Sequence, residues 1–169
     1  MNIGNVIAQH EIAKEDALPG YRFWYAKVES GLATLESVHM LVSSWPKYEA
    51  LRAVCRCLNY ECRLTQPEHT CGIYALMYPQ PHLYSQFDFV FGEVRLWGEV
   101  FVHEFGLRGM FAEPVCLWSP GVESVVNQLR LELVAEQYGL PIVKQPEASE
   151  TYWVQQDWRR LRDMSRVTA

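Results

Sequence analysis

One stretch of this sequence alternates apolar and polar residues strictly enough to require a β-strand, and it lies within residues 89–117. Over residues 93–104 the apolar residues, mostly valine, fall on one face, and charged, aromatic and histidine side chains share the other. A period of two residues is the signature of a strand with two different faces. A turn signal follows at Phe105-Gly106 and the pattern then resumes, so residues 89–117 predict a long β-hairpin.

A polar cluster is predicted where this hairpin turns. A two-residue loop pairs His103 with Arg108 and places both on the mixed face, whereas Glu104 falls at the margin of the apolar face. Adjacent strand residues point to opposite faces, which argues against His103 and Glu104 acting together on one small substrate. Two interpretations stay open: a pair of Glu104 with Arg108 beside a solvated histidine, and a binding site at the mouth of the hairpin. The candidate binding residues are His103, Glu104, Arg108 and Trp97.

The rest of the chain adds shorter strands and helical segments. An apolar stripe at helical spacing, with Ser-Pro at its start and Gly-Leu-Pro at its end, predicts a helix over residues 119–138. The last segment, residues 151–166, predicts a further helix that carries four arginines. The N-terminal segment, residues 5–17, has loosely spaced apolar residues that favour a short helix. The predicted strands are residues 21–28, 32–42, 73–78 and 142–143.

These elements predict the fold class α+β, in a single domain over residues 1–143. We expect a strongly bent antiparallel sheet or partial barrel with a long hairpin, covered by the helix over residues 119–138. Residues 144–169 are expected to form a linker and a C-terminal helical extension, which docks on the domain or presents itself to a partner.

A cluster of thiols and one imidazole precedes the predicted strand at residues 73–78. Zinc prefers four such ligands in a tetrahedron, usually from two short pieces of chain, so the cluster would suit a structural zinc ion. The cluster has no Cys-x-x-Cys pair, however, and buried cysteines often serve as small apolar side chains in a core. A third interpretation is a reactive thiol at Cys71, activated by His69 or His103. The candidate metal ligands are Cys55, Cys57, Cys62, His69 and Cys71.

Composition argues against several classes of protein. The net charge is -5 with both signs interspersed, which is not the pattern of a nucleic-acid binder that neutralises phosphates with clustered Lys and Arg. No apolar stretch approaches the roughly 18 residues of a membrane span, and the N-terminus lacks the cationic and apolar regions of a signal peptide. Five cysteines without an export signal point to reduced thiols, so we expect a cytoplasmic protein.

A series of short motifs runs through residues 20–143. It includes Cys71-Gly-Ile-Tyr-Ala75, Gly92-x-Val-x-Leu-Trp-Gly98, His103-Glu-x-Gly-x-Arg108, Ala112-x-Pro114 and Tyr138-Gly-Leu-Pro141. In these motifs the chain resembles a family of short, mostly uncharacterised bacterial proteins. The resemblance implies the same order of strands and helix, and it implies no reaction.

The leading functional prediction is a non-catalytic binding, regulatory or accessory protein that acts through another protein. Its basis is the density of aromatic residues, which are enriched at protein interfaces, in a sequence without a catalytic motif of high specificity. A small-molecule ligand is neither indicated nor excluded. Two alternatives stay open: an enzyme that uses Cys55, His69 and Cys71 with or without a metal, and a transcription-related regulator or defence-system accessory factor that uses the arginine-rich residues 159–166.

Overall fold

Eight strands and one α-helix make up most of the chain that the structure, a computed structural model, describes: residues 4–38, 44–54, 70–79, 89–119 and 125–144. The strands are β1 (Val6–Ile12), β2 (Leu18–Glu29), β3 (Leu32–Ser37), β4 (Leu51–Arg52), β5 (Ile73–Leu76), β6 (Phe89–His103), β7 (Gly106–Ser119) and β8 (Ile142–Lys144). The helix α1 (Val125–Tyr138) lies between β7 and β8, and a 3-10 turn (Lys14–Asp16) lies between β1 and β2.

All of these strands belong to one sheet, whose pairing closes on itself through four strands. The long strand β6 pairs with β2 along one edge and with β7 along the other. Strand β5 pairs with β7, and Tyr21 of β2 pairs with Leu76 of β5, which completes the ring. The remaining strands extend this ring: β1 pairs with β6, β3 with β2, and both β4 and β8 with β7. The sheet is mixed, because β8 runs parallel to β7 while the other pairs are antiparallel.

The predicted α+β class is wrong, because strands dominate the described residues and α1 is the single α-helix among them. Within residues 5–17, expected to be helical, Val6–Ile12 form β1 and Lys14–Asp16 form the 3-10 turn, since pairing with β6 overrides a weak helical pattern. The helix expected over residues 119–138 is present as Val125–Tyr138, and Ser119 still belongs to β7. Of residues 144–169, expected to form a linker and a C-terminal helical extension, Lys144 is the last residue of β8 and the rest lie outside the described part of the chain. Within the described ranges, no helix is both long and apolar enough to cross a membrane.

The central hairpin forms as expected but turns at a different position. Glu104 and Phe105 make the turn, so Phe101 rather than His103 pairs with Arg108. The register is therefore shifted by two residues from the predicted one. Because the side-chain period of a strand is two, this shift leaves the side chains near the turn on their predicted faces. His103 and Arg108 thus share one face of the hairpin.

A β-bulge interrupts the pairing of β6 with β7. The register with β7 shifts between Trp97 and Val100, so Gly98 and Glu99 together face a single residue of β7. Gly98 has a φ of 73°, in the left-handed region that favours glycine. Leu96 and Val100, on either side of the bulge, both stay in the main core, so the alternation predicted for β6 is kept. The bulge instead pairs Phe111 of β7 with Trp97 and not with Val100.

The main core lies on the face of the sheet that α1 covers. Helix α1 contacts β2, β3 and β7 and contributes its buried residues Leu131, Val134 and Tyr138. Aromatic and aliphatic side chains of the sheet complete this core, among them Trp24, Leu35, Val94, Leu96, Val100, Leu107 and Leu117. The opposite face of β2, β6 and β7 carries a second buried group, which contains Tyr21, Phe23, Phe91, Cys116 and Trp118.

The hydroxyl of Tyr138 joins α1 to the sheet and gives a first prediction. It accepts a hydrogen bond from the Leu35 N–H at 2.9 Å and donates one to the Trp45 carbonyl at 2.8 Å. Tyr138→Phe leaves both buried backbone groups without this partner, so we expect the free energy of unfolding in urea to fall by about 1–3 kcal/mol. Tyr48→Phe is the control, because the Tyr48 side chain is 78% exposed, and an equal loss in both variants would contradict the assignment.

Candidate functional site

The mixed face of the hairpin carries a buried polar cluster beside the turn. Its buried members are Glu99, Phe101, His103 and Arg108; together with the exposed Gln9 of β1 they are here called the mouth cluster. Arg108 is 1% exposed, His103 7% and Glu99 8%. Arg, Glu and His are seldom buried to this degree unless their polar groups are satisfied, so the cluster is a site where specific contacts are required.

Arg108 stacks on an aromatic ring within the mouth cluster. Its guanidinium carbon lies 4.2 Å from the centroid of the Phe101 ring, directly across the β6–β7 pair. A desolvated guanidinium over an aromatic face is stabilised by about 2 kcal/mol or more. This contact explains how a full positive charge is accommodated beneath the surface of the hairpin.

Glu99 is held by a residue of the first strand. The Gln9 amide Nε2 donates to Glu99 Oε1 at 2.6 Å. Burial raises the pKa of Glu99, the hydrogen bond from Gln9 opposes that shift, and nearby Arg108 also opposes it. The carboxylate is therefore positioned by β1 and lies within the field of the buried guanidinium.

His103 has one ring nitrogen engaged and one without a partner. Its Nδ1 lies 2.9 Å from the Gly4 carbonyl oxygen, and since a carbonyl can only accept, Nδ1 carries the proton and donates. In the neutral ring Nε2 is then an acceptor, and it is buried with no hydrogen-bond partner among the residues that the structure describes. Burial lowers the pKa of His103, the bond to Gly4 opposes this, and Arg108 lowers it further. The neutral imidazole is the favoured form at neutral pH.

The four predicted binding residues do not all lie together in the structure. His103 and Arg108 lie together in the mouth cluster, and Glu104 is half-buried in the turn, where its N–H donates to the Asn5 carbonyl at 3.2 Å. Trp97 lies beyond the bulge, stacked on Phe111 with ring centroids 5.9 Å apart. Sequence reasoning did not select Glu99 or Phe101, although both belong to the predicted mixed face, and it missed Gln9 because residues 5–17 were expected to be helical.

Trp97 belongs to a separate stack of rings and cations on the same side of the sheet. The Lys14 ammonium lies 4.9 Å from the Trp97 ring centroid, and the Arg52 guanidinium carbon lies 5.7 Å from that of Phe111. Lys14 also pairs with Glu113 at 3.1 Å. Both rings of the stack are therefore already covered by cations of the chain itself.

Most of the predicted metal ligands lie outside the described residues. These are Cys55, Cys57, Cys62 and His69. Cys71 is described: it is 7% exposed and packs against Phe101, with Val6 and Met110 beside it. Among the residues that can be described, no group of three or more His, Cys, Asp or Glu is arranged to hold a metal ion. A structural zinc ion held by the five-residue cluster stays a prediction.

A second polar row crosses the sheet farther from the hairpin turn. Tyr21 of β2, Glu93 of β6 and Cys116 of β7 are consecutive partners in the strand register. Burial, with the charge of Glu93, raises the pKa of Tyr21 to about 12. Burial also raises the pKa of the Cys116 thiol. Both groups are therefore protonated at neutral pH, and Cys116 is not an activated nucleophile.

Arg22 fills the gap where two strands separate along the edge of β2. Strand β3 pairs with β2 as far as Trp24, and β5 meets β2 at Tyr21. The guanidinium of Arg22 donates to the Tyr74 carbonyl of β5 and, at 3.0 Å, to Ser37 Oγ of β3. Burial lowers the pKa of Arg22 to about 10, so the side chain keeps its charge at neutral pH and ties the two strands together.

The turn of the hairpin presents an exposed aromatic ring next to the mouth cluster. Phe105 is 57% exposed. Its carbonyl accepts the Met77 N–H at 3.2 Å, and the preceding N–H, that of Glu104, donates to Asn5. The backbone that carries the ring is therefore held by hydrogen bonds on two sides.

Comparison of the chain with family models, with curated proteins and with solved structures finds no match.

Proposed function

We propose that this chain is a non-catalytic regulatory or accessory protein that binds another protein through the turn of the central hairpin. The observation that carries the proposal is the exposed ring of Phe105 on a turn that is pinned by Met77 and Asn5. Aromatic side chains are enriched among the residues that dominate binding energy at protein interfaces. A ring on a fixed backbone also loses less conformational entropy when it is buried by a partner.

The protonation states of Cys116 and His103 also support binding over catalysis. Nucleophilic catalysis needs a nucleophile with a lowered pKa or an adjacent general base. Burial shifts the pKa of Cys116 upward, and it shifts that of His103 downward while Nδ1 is tied to a backbone carbonyl. These shifts favour neutral side chains that position the fold. The proposed location is the cytoplasm, where a chain with five cysteines keeps its thiols reduced.

Phe105→Ser tests this proposal directly. We expect a specific protein that co-purifies with the wild type from its native host to be depleted about 30-fold with the variant, since loss of a dominant interface residue costs about 2 kcal/mol or more. Quantitative mass spectrometry of the purified complexes gives the measurement, and circular dichroism checks that both proteins are folded.

Leu129→Ser is the matched control. Leu129 is a large apolar residue on α1 that is 60% exposed, and the variant also introduces serine. Its set of co-purifying proteins should equal that of the wild type. Equal recovery of every protein with Phe105→Ser and with the wild type would rule out the turn as the binding surface.

A further inference from the structure

The N-terminal end of β1 is attached to the hairpin by a small set of contacts. Within the described residues β1 pairs with β6 alone, and the register shifts between Val6 and Ala8. Residues Gly4–Val6 therefore lie beyond an irregularity in the strand, and this segment is here called the latch. A segment separated from the regular ladder in this way can open without disturbing the rest of the sheet.

The contacts that hold the latch at the mouth of the hairpin include two made by His103. Val6 pairs with His103 in the strand register, and His103 Nδ1 donates to the Gly4 carbonyl at 2.9 Å. The Glu104 N–H donates to the Asn5 carbonyl at 3.2 Å. Val6 also packs against Cys71 and Phe101. Val6 of the latch thus packs against the buried group that contains Cys71 and Phe101 of the mouth cluster.

We propose that His103 is a pH-sensitive residue that holds the latch closed, and that protonation of its Nε2 releases the latch and opens Cys71 to solvent. In the closed arrangement Nε2 is buried without a hydrogen-bond partner in the described part of the chain. A proton on Nε2 would create a buried donor with no acceptor and a second positive charge beside Arg108. Both effects cost free energy that release of the latch recovers by admitting water.

The charged groups around His103 do not offset that second charge. Arg108, from β7, carries the same sign and lies within the same buried face. On β6 the carboxylate of Glu99 is already bonded to Gln9, and Glu11 of β1 lies opposite Glu99, at the far end of the β1–β6 pairing from His103. In the turn, Glu104 lies beside Gly4. The influences that set the pKa of His103 are burial, the Gly4 carbonyl and Arg108.

The direction of the pH dependence follows from these contacts. In the closed arrangement burial and Arg108 lower the pKa of His103 from its ordinary value of 6.5, although the Gly4 carbonyl opposes this shift. The closed form therefore binds fewer protons than a form in which the ring is exposed to water. The latch is therefore fully stable above the pKa of the released histidine and weakens as the pH falls below it. Each pKa unit between the two forms changes the opening equilibrium by about tenfold.

The reactivity of Cys71 reports on the latch. We would label the full chain with 4,4′-dithiodipyridine, which reacts with thiols in acid, from about pH 7.5 to about pH 5, the interval in which histidine titrates. Peptide mass spectrometry gives the labelling rate at each cysteine. Dividing that rate by the rate in the denatured chain at the same pH gives a labelling ratio for each cysteine. We expect the Cys71 ratio to rise about tenfold or more. Cys116, which belongs to a separate buried group around Phe91 and Trp118, is the internal reference and should not change.

His103→Asn distinguishes the titration of His103 from other effects of low pH on the fold. The asparagine amide can donate to the Gly4 carbonyl from the position of Nδ1 but does not titrate, so the Cys71 ratio should become independent of pH. His10→Gln, at another histidine with a buried Nε2, should retain the wild-type pH dependence. A Cys71 ratio that is flat in the wild type, or that rises equally in His103→Asn, would overturn the proposal.

Hydrogen exchange of the wild type provides a second test that needs no variant. The Glu104 amide, which donates to the latch, should lose about tenfold of its protection over the same pH interval after correction for the intrinsic exchange rate. Unchanged protection of Glu104 would overturn the proposal even if His103→Asn failed to fold.

Discussion

Gly92→Ala is expected to abolish stable folding. A Cβ built on Gly92 lies 2.1 Å from the Cys116 carbonyl oxygen, and its next neighbours are also backbone atoms of β7. Backbone atoms cannot move aside as a flexible side chain can, so β6 and β7 would have to separate. We expect a loss of more than about 5 kcal/mol, which exceeds most single substitutions and approaches the whole stability of many domains.

The position of Gly92 in the sheet prevents an easy adjustment. It pairs with Leu117 of β7 on one side and with Arg22 of β2 on the other. Displacing β6 away from β7 would therefore disturb the pairing with β2 as well. Circular dichroism and urea unfolding measure the effect, and a Gly92→Ala protein within about 1 kcal/mol of the wild type would contradict the close approach of the two strands.

Gly31→Ala is the control for that experiment. Gly31 lies in the turn between β2 and β3, and a Cβ there meets no atom within 4 Å. Its φ of 79° makes alanine unfavourable by about 1–2 kcal/mol, without any steric overlap. The difference between the two variants isolates the contribution of strand contact from that of backbone conformation.

Trp24→Ala is expected to give the second-largest effect, a loss of about 3–5 kcal/mol in the free energy of unfolding. Trp24 is 0% exposed in the main core. Its ring meets that of Trp45 edge to face, with centroids 5.5 Å apart and an interplanar angle of 88°. Removing the indole leaves a cavity and deletes the aromatic contact, and both losses reduce stability.

The neighbouring residue supplies the control for Trp24→Ala. Tyr25 follows Trp24 on the same strand, but its side chain points to the other face and is 42% exposed. Tyr25→Ala should therefore change the free energy of unfolding by about 1 kcal/mol or less. Urea unfolding compares the two proteins, and equal losses would contradict the placement of Trp24 in the core.

Local sequence patterns predicted several elements because each depends on residues close together in the chain. Alternation over residues 93–104 predicted the long hairpin, and the residues around the turn at Ser30-Gly31 predicted β2 and β3. Alternation also predicted that His103 and Arg108 share one face, since a register shift of two residues preserves that relation. The apolar stripe before Gly139 predicted α1, although the helix begins later than expected.

What the chain determined by itself was therefore which side chains share a face, and the tertiary structure decided which segments lie side by side. Gln9 and Glu99 are 90 residues apart, and no local pattern connects them. Residues 5–17 have a weak helical spacing, yet pairing with β6 makes them β1, because backbone hydrogen bonds and burial outweigh small propensity differences. The mouth cluster depends on that pairing, since β1 supplies the partner of Glu99 and the latch supplies the carbonyl that orients His103.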